Sequence, residues 1–135
     1  VIARVPLASG LLSGKFDDDT AFAADDHRSF NRDGSAFDVG ETFSGVDYET
    51  GVAAAKEFSA LVRETYGDQV TPAQVAIARC AQRPGVTTVI PGASRAGQAE
   101  SNALAGELGP LPDALCEAVV RLYDTRLRAA VHDRW

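Results

Sequence analysis

The chain opens on a short apolar, β-branched run, Val1-Ile2-Ala3-Arg4-Val5, closed by Pro6-Leu7, and this pattern predicts a strand. A glycine-punctuated loop from Ala8 to Gly14 follows and ends at Lys15. Polar, irregular sequence then runs from Phe16 to Gly45, with acidic clusters at Asp17-Asp18-Asp19 and Asp25-Asp26. A loop of this length is unusual in a compact domain and is often functional. Its phenylalanines at 16, 22, 30, 37 and 43 predict that it packs against a surface. From Asp47 the pattern turns helical: Tyr48, Val52, Ala55, Phe58, Leu61, Val62 and Tyr66 recur at three- and four-residue spacing, and Gly67 is the expected stop. Thr71-Pro72-Ala73-Gln74 reads as a capping box with proline in the first turn. The helix it opens, through about Gln82, is expected to bury Val75, Ile77, Ala78 and Ala81 and to end at Pro84-Gly85. Val86-Thr87-Thr88-Val89-Ile90-Pro91 predicts a second strand, and its β-branched run implies burial on both faces, as in a parallel sheet. Gly92-Ala93-Ser94 leads to a helix over about Ala96 to Ala105. A last helix is expected from about Pro112 to Arg128, with Leu115, Val119, Leu122 and Tyr123 on its apolar stripe, before a tail ending at Trp135.

Strands alternating with helices imply an α/β fold with parallel pairing and right-handed crossovers. Two strands are too few for a sheet covered on both faces, whereas a (β/α)₈ barrel takes ~250 residues. A two-strand piece would leave open sheet edges and bare apolar surface. The chain contains no methionine and starts within strand-like sequence, so an N-terminal part is expected to be missing; a processed complete chain is the alternative.

Composition narrows the class. A hydrophobic share of 45% is enough for a globular core. The net charge of -6 argues against nucleic acid and anionic membranes as general partners, because both need a basic surface. Cys80 and Cys116 are far apart and match neither a zinc signature nor a disulfide framework, which points to reduced thiols in a cytoplasmic protein. No apolar run approaches the ~20 residues of a membrane span.

Chemistry concentrates in two loops, each following the C-terminal end of a strand. The first is Pro6-Leu7-Ala8-Ser9-Gly10-Leu11-Leu12-Ser13-Gly14-Lys15. Its glycines would let main-chain amides approach a phosphate, with Ser9 and Ser13 as hydroxyl donors and Lys15 as a cation; a plain turn is the alternative. The second is Ile90 to Asn102, in which a helix starts just after a strand and a glycine. The free amides and positive end of that helix favour an anion, and an arginine at Arg95 can pair bidentately with a phosphate. Gln98 and Asn102 share one helix face, where two amides could meet an adenine edge. In the alternative, Ser94 merely caps the helix and both amides are solvated.

Taken together, these two loops resemble the aldo-keto reductase family. There the loop after strand seven has the form P-L-x-x-G-x-L-x-G-K, and the segment after strand eight reads I-P-G-A or I-P-K-S, followed by Gln or Arg and then Asn. Pro6 to Lys15 and Ile90 to Asn102 match. Thr71 to Ala76 looks like the start of the family's helix before strand eight, and Val131-His132-Asp133-Arg134-Trp135 resembles the tail of a bacterial branch. The resemblance covers essentially residues 1–135, as the C-terminal portion of a single barrel domain. It implies a partial (β/α)₈ TIM barrel, the last two parallel strands with their helices and tail. It also implies NADP as cofactor, held without a Rossmann domain. Pro6, Leu7, Gly10 and Leu11 would lie along the pyrophosphate and nicotinamide, with Gly92 beside the second loop's anion site. Ser94 and Arg95 would meet the 2′-phosphate, and Gln98 and Asn102 the adenine. Arg4 falls where many relatives stack an aromatic ring on the nicotinamide, a contact that a planar guanidinium can also make. Gln98 stands where some relatives have arginine, which leaves Arg95 as the main phosphate partner.

The family's Asp, Tyr, Lys and His tetrad lies upstream of anything matched here, so no residue of this chain is expected to be catalytic. Tyr48, Tyr66 and Tyr123 fit helix stripes, His27 a polar loop and His132 the tail. The expected function is therefore that of a fragment of an NADPH-dependent reductase of aldehydes or ketones, with a small carbonyl substrate for the parent enzyme. The isolated chain is expected to be oligomeric or to need its missing half. The alternative is a stand-alone, non-catalytic module that binds a nucleotide or a protein.

Overall fold

The computed structural model describes residues 1–134; Trp135, the end of the expected tail, lies outside the described residues. The chain folds as a mixed α/β unit that is mostly helical. Its strands, β1 (Ile2–Arg4) and β2 (Thr88–Ile90), pair in parallel with Ile2 opposite Thr88 and Arg4 opposite Ile90. The helices are α1 (His27–Phe30), α2 (Tyr48–Tyr66), α3 (Pro72–Ala81), α4 (Ala96–Ala103), α5 (Asp113–Arg126) and α6 (Arg128–Val131).

Local chemistry accounts for the helix ends. The Asp47 carboxylate accepts the Thr50 N–H at 3.1 Å to start α2, and Gly67, at φ 62°, stops it. The capping box of α3 forms in full. Thr71 Oγ1 accepts the Gln74 N–H at 3.2 Å, and Gln74 Oε1 accepts the Thr71 N–H at 2.9 Å. The same Gln74 side chain donates its Nε2 to the Ser101 carbonyl at 3.1 Å, fastening α4 to the start of α3.

Helix α2 joins two apolar clusters. Phe58 and Val62 pack with Val75, Ile77 and Ala78 of α3 and with Leu115 and Leu122 of α5. Val52, Ala55 and Tyr48 pack with Leu11 and Phe43. Gly51 explains how the second cluster closes: a Cβ there would lie 2.8 Å from Leu11 Cδ1. Glycine within a helix costs about 1 kcal/mol relative to alanine, and here it lets the first chemical loop rest directly on α2.

Two expectations about burial fail. Strand β2 is not buried on both faces. Val89 packs against the main core, whereas Thr88 and Ile90 are exposed. With only one neighbouring strand and no second layer over the sheet, the outward residues of β2 meet solvent. Ala81, expected in the core, sits exposed in the last turn of α3.

The long segment has more structure than its sequence predicts. Besides α1 it contains 3₁₀ turns at Val39–Glu41 and Phe43–Gly45. Phe16, Phe22 and Phe43 form an aromatic cluster with Tyr48, the Phe16 and Phe22 rings meeting edge to face at 5.1 Å. Phe30 and Phe37 instead meet edge to face at the surface. Asn31, fully buried, organises the turn between them. Its Oδ1 accepts the N–H groups of Ala36 (3.0 Å) and Phe37 (2.7 Å), and its Nδ2 donates to the Asp38 carbonyl and to Thr42 Oγ1 (3.1 Å).

Candidate functional site

Parallel pairing with Arg4 beside Ile90 makes both chemical loops leave the same edge of the sheet. The first loop turns sharply. Val5, Ala8, Ser9 and Gly10 all have positive φ, from 47° to 97°. A β-branched residue in this region is an outlier that costs on the order of 1–3 kcal/mol, so Val5 marks strain just past the strand. Gly10 could not carry a side chain without displacing the Phe16 ring, 3.0 Å from where its Cβ would stand.

The loop's side chains are mostly committed. Pro6 and Leu11 are buried, so Leu11 offers a ligand only its main chain; Leu7 is half-buried against the main core. Ser9 Oγ accepts the Phe43 N–H at 3.1 Å and donates to the Glu41 carbonyl, while Ser13 Oγ donates to the Gly10 carbonyl at 2.6 Å. The expectation that both hydroxyls face a phosphate is thus corrected: in this fold they hold the loop's shape. Arg4 pairs with Glu41 at 3.3 Å at the surface. Lys15 is exposed and, among the described residues, makes no ion pair.

Arg28 is a neighbour that sequence reasoning missed. Its Nη1 lies 3.8 Å from the position of a Gly10 Cβ, and its guanidinium stacks over the Phe22 ring at 4.4 Å. Asp26 orients it, accepting from Nε at 2.9 Å and from Nη2 at 2.5 Å. The local signal was an Asp two residues before an Arg; nothing in the spacing linked that pair to Gly10. The Arg28 hydrogen bonds, with its charge, hold the Asp26 carboxyl at about 2 rather than 3.8, against an upward pull from partial burial. Because the folded value is the lower one, the ionised pair stabilises the fold fully above the ordinary carboxylate range and is lost as pH falls toward 2. Urea unfolding of the wild type and Asp26→Asn should therefore differ by no more than about 2 kcal/mol at pH 6 and converge by pH 2. A pH-independent gap would mean that the charge is not what matters.

The second loop is open. Gly92, Ser94 and Arg95 are exposed, and a Cβ at Gly92 or Gly97 would meet nothing within 4 Å. Arg95, extended at φ -144°, occupies the N-cap of α4 without capping it, and its guanidinium has no hydrogen bond or ion pair among the described residues. Ser94 does not cap the helix, and neither amide is simply solvated. Gln98 Oε1 accepts both the N–H (2.8 Å) and the hydroxyl (2.9 Å) of Ser94, and Asn102 Nδ2 donates to the Gly92 carbonyl at 3.2 Å. The two amides clasp the loop that precedes their own helix, leaving Gln98 Nε2 and Asn102 Oδ1 outside those bonds.

The expected helix-stripe tyrosines are structural or peripheral. Tyr48 donates to the Asp17 carbonyl at 2.8 Å, and Tyr123 Oη lies 2.9 Å from His132 Nδ1. His27 stands at the start of α1, 3.6 Å from Asp26 Oδ1. Among the described residues no cluster of His, Cys, Asp and Glu could hold a metal ion, and no helix is long and apolar enough to cross a membrane.

A probable voltage-gated potassium channel subunit beta of Arabidopsis thaliana is 34% identical over 111 residues, covering 78% of this chain and 29% of that protein. The chain thus spans less than a third of the length of that relative. No solved structure matches. The model of the aldo/keto reductase family matches residues 1–124, and the chain belongs to that family.

Proposed function

We propose that the chain is the cofactor-holding C-terminal portion of a cytoplasmic, NADPH-dependent reductase of aldehydes or ketones. In this reading β1 and β2 are the last two strands of a (β/α)₈ barrel, and the rest of the barrel supplies the catalytic residues. The observation that carries it is Arg95: a cation without an ion pair among the described residues, at an open helix start, on a loop that leaves the same end of the sheet as a strained, glycine-bearing turn. The adenosine end fits the cofactor well. The space around Gly92 and Gly97 admits a phosphate against main chain, the first-turn amides of α4 need acceptors, and Arg95 supplies the charge that distinguishes a 2′-phosphate from a hydroxyl. When bound, the cofactor would supply the hydride. Arg4, Pro6, Leu7, Gly10 and Leu11 would orient its other end, with Arg28 as an additional cation beside Gly10.

Titration of the chain with NADPH and NADH, read by nicotinamide fluorescence, tests this. Arg95→Ala should weaken NADPH about 10–100-fold, the worth of a charge-assisted hydrogen bond, and NADH less than about twofold. Equal losses for the two cofactors, or no saturable NADPH binding to the wild-type chain, would refute the assignment.

The bare sheet favours a second reading, a non-catalytic module that binds a nucleotide or a partner protein. Val1, Ile2 and Ile90 are 77%, 65% and 55% exposed. A fold does not fix an activity. Carbonyl reduction by the chain's full-length parent discriminates the two.

A further inference from the structure

An apolar cavity of about 510 Å³ lies among α2, α3 and α5, apart from the exposed face of the two chemical loops. Phe58, Ala76, Leu122 and Leu127 line it, and Pro6 and Leu11 contribute from the buried side of the first loop. Its size falls in the range of about 300–1,000 Å³ typical of small-molecule pockets.

The charged groups at this cavity are mostly cationic. Arg79, Arg83 and Arg128 line it with a single carboxylate, Asp124. That carboxylate is taken by Arg128 at 2.8 Å. Among the described residues, Arg79 and Arg83 form no ion pair. Arg79 also carries the only buried side-chain polar atom, among those described, that lacks a partner: its Nε is closed off from solvent with no acceptor. Leaving such a group unsatisfied costs about 1–3 kcal/mol, and an orphan of this kind calls for an explanation. In a chain of net charge -6, two unneutralised arginines beside an apolar hollow form a local inversion of sign.

We propose that this cavity binds a medium-chain fatty carboxylate, its tail among the apolar residues and its headgroup on Arg79 and Arg83. The planar guanidinium of Arg79 holds Nε–H and Nη2–H side by side, the fork that a carboxylate accepts bidentately, and rotation about its outer torsions would turn that fork toward the cavity. A neutral or cationic amphiphile has the same tail but leaves both arginines without a partner. The site shares no polar group with the cofactor reading, so each can fail alone.

Isothermal titration of the chain with sodium decanoate, decanol and decyltrimethylammonium tests the proposal. Decanoate should bind one to one, decanol at least tenfold more weakly and the cation undetectably. Arg79→Leu should reduce decanoate binding at least tenfold. Should that variant misfold, Arg83→Glu, at an exposed position, carries the same test and should reduce binding at least fivefold. Cys80 lines the cavity and gives a second readout. In a Cys116→Ser background, decanoate should slow alkylation of Cys80 at least fivefold. Arg95→Ala should leave decanoate binding unchanged. Equal affinity for decanoate and decanol, no decanoate binding at all, unchanged binding in Arg83→Glu, or unprotected Cys80 at saturating decanoate would each overturn it.

Discussion

Phe43→Ala is expected to destabilise the chain by about 3–5 kcal/mol, the usual cost of emptying a buried aromatic site. Phe43 is 1% exposed and packs against Tyr48 at 5.1 Å and Phe22 at 6.0 Å, with Leu11, Val52 and Ala55 around it. A domain of ordinary stability has about 5–15 kcal/mol in all, so the midpoint of thermal unfolding should fall by on the order of 10 °C. The effect should reach the loop of Ala8 to Gly14 as well. Leu11 loses its partner, and the Phe43 N–H that Ser9 accepts is set loose with its segment. NADPH binding should weaken although Phe43 is no candidate ligand contact. A loss below about 1 kcal/mol in urea unfolding would show that this cluster lies outside the cooperative core.

Asn31→Ala should cost about 2–4 kcal/mol by a different route, since it removes four hydrogen bonds from a buried centre and leaves their partners unsatisfied. Here the damage should stay local. Amide exchange of Ala36 and Phe37 should accelerate by at least tenfold while the amides of α2 and α3 keep their protection, the pattern of sub-global opening. Asn31→Asp keeps the two acceptor contacts but loses both donors and buries a charge, so it should fall no closer to wild type than the alanine variant. Unchanged exchange at Ala36 and Phe37 in Asn31→Ala would remove Asn31 from its organising role.

The contrast between these two residues shows what the sequence could convey. Helices α2 and α3 were legible because their signals are local: Asp47 and Gly67 bracket one apolar period, and Thr71 to Gln74 spell out a complete cap within four residues. Both strands were legible from β-branched runs, and the two chemical loops from their position after those strands. Their exposure was not legible, because burial of Thr88 and Ile90 depends on what covers them rather than on their own propensity. The long segment escaped for a related reason. Asn31 reaches Thr42, and Ser9 reaches Phe43, through contacts whose partners follow no period. Arg28 stands beside Gly10 through α1 and the aromatic cluster, a contact between positions eighteen residues apart that no local pattern signals. The bond between Ser94 and Gln98 was not foreseen either, although four-residue spacing on a helix start lets the two side chains reach each other.

That last bond changes how a nucleotide would be recognised here. Gln98 and Asn102 are not vacant hands awaiting a base; each already grips the strand-to-helix loop. A purine that docks on them while that grip holds would meet one donor, Gln98 Nε2, and one acceptor, Asn102 Oδ1, outside those bonds. The two amides would then govern which nucleotide is allowed, because an edge without an acceptor for Nε2 and a donor for Oδ1 leaves one of them unpaired. Tightness would rest on charge and on main-chain amides, and the loop's own clasp would fix in advance the edge that a base must present.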